Sequence, residues 1–90
     1  MFHRMRNLGP ASSRMLEAAG IKSESELRAM GSVAAYASVK ASGGTHSLNL
    51  LWALEGALTD RDWKQVARDD RALLLIQLED YETRQNDRGC

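Results

Sequence analysis

Asn7-Leu8-Gly9-Pro10, followed by Ser12-Ser13-Arg14-Met15-Leu16 and closed by Gly20-Ile21, is the stretch that decides the fold. It sets down a tight turn, a proline-started helix and a glycine stop in succession. Pro10 suits the first turn of a helix, where its missing N–H costs nothing. Gly20 stands where a left-handed residue ends a helix, and Ile21 can fold back onto that end. A second capped helix follows directly, which is the order of a helix-hairpin-helix. The turn also leaves backbone N–H groups at a helix N-terminus, a position that favours a phosphate or a carboxylate.

Working outward, the same local signals predict the remaining helices. The first spans about residues 11–19, with Met15, Leu16 and Ala19 on its apolar face. Ser23-Glu24-Ser25-Glu26 matches a capping box and opens a short helix over 24–30 that buries Leu27 and Met30. Gly31 ends it. Ser32 then caps a helix over 33–42, with Val33, Tyr36, Ala37 and Lys40 on one side. Gly43-Gly44 is the clearest loop.

Ser47 caps a helix over 48–58, where Leu48, Leu51, Trp52 and Leu58 form one face and Leu50, Leu54 and Ala57 a neighbouring one. A helix apolar over so much of its circumference is buried on several sides, so this is the central core helix. Thr59 and Asp60 read as turn residues, and 62–66 as a short turn around Trp63. The last helix begins near Arg68, with Asp69 and Asp70 in its first turn and Leu74, Leu75, Leu78 and Tyr81 on its inner face. The expected fold is all-α: a compact bundle of five or six short helices with an N-terminal helix-hairpin-helix-like element. Residues 1–6 read as an arm, 7–84 as a single helical domain and 85–90 as a frayed tail.

Composition narrows the function classes. A chain of 90 residues with 43% apolar content makes one domain with its own core. Twelve basic residues balance twelve acidic ones, which argues against strong non-specific binding of polyanions. Residues 1–28 hold Arg4, Arg6, Arg14, Lys22 and Arg28 against Glu17, Glu24 and Glu26, a mild basic excess. The single cysteine, Cys90, allows no intrachain disulfide and no Cys/His zinc site, and fits a reducing, cytoplasmic setting. His3 and His46 lack partners at metal-ligand spacing. No apolar signal core follows the basic start, and the longest apolar runs, such as 72–76, are five residues, so no membrane association is expected. Nothing points to a cofactor or a small-molecule substrate.

Two segments together resemble the C-terminal domain of the TfoX/Sxy competence-regulator family. One is Asn7-Leu8-Gly9-Pro10 with Met15-Leu16, Ala19-Gly20-Ile21 and Glu26-Leu27. The other is the run Ser47-Leu48-Asn49-Leu50-Leu51-Trp52-Ala53-Leu54-Glu55-Gly56-Ala57-Leu58, followed by Trp63. The resemblance covers about residues 7–78 and implies an all-helical, stand-alone domain with a helix-hairpin-helix-like start. It also implies a link to the regulation of natural DNA uptake in bacteria, in concert with transcription factors. Many members carry a further N-terminal α/β domain. The Asn-Leu-Gly turn is similar, as a motif, to one in the C-terminal domain of the bacterial RNA polymerase alpha subunit, where the hairpin approaches the DNA backbone.

A DNA-binding hairpin usually reads Gly-apolar-Gly with a basic residue just after it. Here Asn7 takes the first glycine position and Gly9 the second, while Ala11 stands where a basic residue is common. The candidate contacts to DNA backbone are Asn7, Gly9, Ser12, Ser13, Arg14 and Lys22, with Arg4 and Arg6 close in sequence. Three engaged cations would give a salt slope of only about −2.7, hence weak binding. The alternative is that the hairpin is a structural corner or docks a protein, for instance a transcription-related partner.

Trp63 either clamps the last helix or faces a partner. Glu55 reads as a helix glutamate at the edge of the core, or as one half of an ion pair with Arg28, Lys40 or His46. Glu79, Asp80 and Glu82 read as a solvated face. No second acid, oxyanion device or nucleophile elbow accompanies Glu55, Ser12 or Ser13, so the expectation is not an enzyme. The reading is a regulatory or accessory module of competence and DNA transformation that contacts DNA backbone through the hairpin, or alternatively a protein-interaction module without DNA binding.

Overall fold

Proline, glycine and hydroxyl caps place the helix ends close to where their chemistry predicts. The computed structural model describes residues 8–44 and 47–89, with side chains as far as Arg84. Among these residues lie five helices and no strand. Helix α1 (Pro10–Ala18) starts on Pro10 behind an extended Gly9. It stops because Gly20 takes a left-handed φ of 90° and the Ile21 N–H turns back to the Leu16 carbonyl at 2.9 Å. That closure carries Ile21 into the core, where it is 2% exposed.

Helix α2 (Glu24–Ala41) is capped by Ser23, whose Oγ accepts from the Glu26 N–H at 3.2 Å. The two helices expected over 24–30 and 33–42 are its two arms. Gly31, at φ 83° and ψ 168°, breaks the helical path between them. Ser32 does not cap the second arm with its side chain. Its hydroxyl donates to Glu55 instead. The inward face of that arm is Ser32, Ala35, Tyr36 and Val39 rather than one including Lys40, which sits at the rim and pairs with Glu82 at 3.3 Å. Met30 is 37% exposed, not buried, because it is the last residue before the break and its turn leaves the core.

Helix α3 (Leu48–Thr59) opens on Ser47, which accepts from the Asn49 N–H, and ends on a left-handed Asp60 at φ 57°. The expected turn around Trp63 is a genuine helix, α4 (Trp63–Asp69), with Asp62 as its N-cap. Asp69 therefore ends α4, and Asp70 joins it to the last helix: it is the C-cap of α4, and its carbonyl accepts from the Leu74 N–H at 2.9 Å in the first turn that follows. Helix α5 (Arg71–Gly89) starts after them, and its helical backbone continues through the segment read as a tail.

The core is built around α3, as its apolar circumference requires. Leu50, Leu51, Trp52, Ala53, Leu54 and Ala57 are all buried. Leu51 and Leu54 have no exposed surface, and each contributes about 1.5–3 kcal/mol by leaving water. Helices α2 and α4 pack directly on α3, and α5 lies along α2. The first arm of the bundle, α1, rests on α2 through Leu16, Ile21 and Leu27. Among the described residues no helix is long and apolar enough to cross a membrane.

Candidate nucleic-acid interface

The first turn of α1 is shaped by what its residues lack. A helix start leaves N–H groups without intrahelical acceptors. Pro10 removes one of them, and the Ser13 N–H already donates to the Gly9 carbonyl at 2.9 Å. The amides of Ala11 and Ser12 remain. Gly9 has no side chain to cap them, and no acidic residue occupies the turn. Gly9 is extended, at φ −107° and ψ −170°, and a Cβ built there meets nothing within 4 Å. Neither strain nor crowding demands glycine at this position. Among the described residues no side chain caps the first-turn amides.

The predicted contact residues divide sharply. Gly9, Ser12 and Arg14 share the start of α1, with Arg14 exposed. Ser13 is turned inward, 6% exposed, and its Oγ has no hydrogen-bond partner among the described residues. Lys22 is exposed but lies beyond the other end of α1, whose nine residues span about 13 Å. Asn7 lies outside the described residues, as do Arg4, Arg6, His3, His46 and Cys90. Among the described residues one cation, Arg14, stands on α1 close to these amides.

A feature that the sequence did not reveal adjoins this turn. Ser12 and Met15 of α1 face Ser47, Asn49, Leu50 and Ala53 at the start of α3, and Trp63 closes the side. Together they line an open cleft of about 270 Å³. Ser12 reads in the sequence as a phosphate contact, Ser47 as a cap and Met15 and Leu50 as apolar-face positions, but nothing in the helical periodicity says that α1 faces the start of α3. Trp63 is half-buried, packs against the core and has the Lys64 Nζ 5.9 Å from its ring centroid. It braces the α3–α4 corner and also presents surface to the cleft. The apolar residues Leu73 and Ile76 are exposed on the outer side of α5, at 57% and 65%.

Glu55 belongs to a different part of the molecule. Its Oε1 accepts from Ser32 at 2.7 Å, and Oε2 lies 3.8 Å from Arg61 Nη2. Among the described residues its ion-pair partner is Arg61, not Arg28 or Lys40, and His46 lies outside them. Arg61 also binds Asp70, so its guanidinium ties α3 to the α4–α5 junction. The hydrogen bond from Arg61 holds the Asp70 carboxyl below its ordinary value, and Asp70 in turn raises Arg61. Serine, carboxylate and guanidinium are mutually satisfied here, which is the chemistry of a structural joint. Among the described residues no cluster of His, Cys, Asp and Glu could hold a metal ion.

The model of the TfoX C-terminal domain matches residues 2–78. The chain belongs to this family. Comparison with curated proteins and with solved structures gives no match. The TfoX C-terminal domain match ends at Leu78, the last buried residue described on α5. It takes in the start of α1, the cleft and the Arg61 joint.

Proposed function

We propose that this TfoX C-terminal domain is a non-enzymatic, cytoplasmic regulatory or accessory module of competence and DNA transformation that touches nucleic-acid backbone through the first turn of α1. The observation that supports this reading is the pair of amides at Ala11 and Ser12, which no side chain among the described residues caps, behind Gly9 and beside exposed Arg14. Binding is weak and salt-sensitive, because the chain carries no net charge. The test is fluorescence anisotropy of a labelled generic duplex at low and physiological salt, with Arg14→Glu alongside. Salt-sensitive binding lost in the variant supports the reading. No binding even at low salt removes it.

A second reading is a protein-interaction module without DNA binding. It is favoured by the half-buried Trp63 on the cleft, since tryptophan is a frequent anchor of protein interfaces. Recovery of a transcription-related protein by the wild type, and its loss with a Trp63 variant that still folds, would support that reading.

A further inference from the structure

We propose that the cleft between α1, α3 and Trp63 takes one unpaired nucleotide of single-stranded nucleic acid. This rests on the nucleic-acid reading above and specifies the form that is bound. The cleft has two kinds of wall. Met15, Leu50 and Ala53 form an apolar floor, and Trp63 offers an aromatic side. Ser12, Ser47 and Asn49 supply neutral hydroxyl and amide groups. None of these lining residues is ionisable, so no carboxylate opposes an anion inside.

Two helix N-termini and one ammonium bring positive character to the cleft. Ser12 is the third residue of α1, and Ser47 is the N-cap of α3, so both helices direct their positive ends to this cleft. Neither has an acidic residue in its first turn. Lys64, outside the lining, holds its ammonium over the Trp63 ring at 5.9 Å from the centroid. The nearest carboxylate in sequence, Asp62, is engaged at the α4 cap, accepting from the Lys64 N–H at 3.1 Å. A ligand with a planar apolar body and an attached anion matches this layout, and a nucleotide is such a ligand.

The charge balance argues for a strand over a duplex. With equal numbers of basic and acidic residues, phosphate contacts alone give little affinity. Stacking of a base on an aromatic ring is worth about 1–3 kcal/mol and needs no net charge. A duplex keeps its bases stacked on one another and offers no planar face to a cleft of this size. A single strand turns a base out at small cost.

The test uses the full chain, a short labelled oligo-dT strand and a duplex of the same length. Trp52 is buried, so quenching of tryptophan emission reports mainly on Trp63. We expect the single strand to bind about tenfold more tightly than the duplex and to quench that emission. Trp63→Leu should weaken strand binding about tenfold. Because Trp63 also packs on the core, Ser12→Asp provides an independent check. An acid at the third helical position favours the helix yet repels a phosphate, so binding should fall while the melting curve is kept. Duplex binding equal to or tighter than strand binding, without quenching, overturns the unpaired-nucleotide site and leaves backbone contact standing. Strand binding untouched by either variant overturns it too. Failure of both probes to bind at low salt removes both readings.

Discussion

The Ser32 hydroxyl donates to Glu55 Oε1 across 2.7 Å, joining α2 to α3 immediately after the break at Gly31. Ser32 is 4% exposed, so its hydroxyl depends on this acceptor. Glu55 is held on its other side by Arg61. Hydrogen bonds to a charged group contribute about 1.5–3 kcal/mol, and Ser32→Ala should lose roughly that amount. Urea unfolding monitored by circular dichroism measures it. An unchanged midpoint would show that the bond adds nothing over hydration of the free carboxylate.

The Arg61–Asp70 contact makes an acid-dependent contribution. A carboxyl whose value in the folded protein lies below the ordinary 3.8 binds fewer protons folded than unfolded. Its stabilisation is therefore complete above that ordinary value, and is lost as pH falls through the lower folded one. Asp70→Asn should lower Tm at neutral pH and show a smaller further drop on acidification than wild type. Thermal melts taken from about pH 6 to about pH 3 follow both. Parallel curves for the two proteins would mean that Asp70 is not the group responsible.

Core and surface leucine-like residues on the same bundle should respond differently. Leu51→Ala should cost about 2–5 kcal/mol and Trp52→Ala about 3–5 kcal/mol. Against a total of about 5–13 kcal/mol for a chain of this length, either threatens the fold. Ile76→Gln, at an exposed position on α5, should change stability by no more than about 0.5 kcal/mol. Thermal melts of the three variants would disprove this assignment of the core if Ile76→Gln were the most damaging.

Two glycines are required for different reasons. Gly31 has φ 83° and ψ 168°, open space around it, and a conformation that side-chain-bearing residues rarely take. Gly31→Ala should cost about 1–3 kcal/mol from the backbone alone. At Gly44 the limit is contact: a Cβ there would stand 2.7 Å from Val39 Cγ1. Gly44→Ala should therefore destabilise, and less so in a Val39→Ala background. A double-mutant cycle by chemical denaturation measures that coupling, and strict additivity would rule out the contact.

Helix starts and stops were legible because their chemistry closes within a few residues. Pro10, Gly20, the Ser23–Glu26 pair and Ser47 each act on neighbours no more than four positions away, and each acts as its residue type predicts. The boundary between α4 and α5, expected near Arg68 and found at Arg71, shows the limit of that rule. Asp69 falls inside the end of α4, and Asp70, at the N-cap position of α5, gives its carboxylate to Arg61, which stands outside both helices.

The candidate site was legible in part. The first turn of α1 could be read from Gly9 and Pro10, but not that Ser13 would turn inward or that Lys22 would lie a helix length away. The order of local signals and the apolar circumference of α3 were enough to determine the all-helical class, the order of the helices and the central element. Only the tertiary structure decided that Glu55 meets Ser32 and Arg61, that Leu73 and Ile76 face outward, and that Trp63 meets Ser12 across a cleft. The physical reason is range. A cap satisfies a backbone group beside it in the chain, whereas a partner tens of residues away is chosen by how the helices pack.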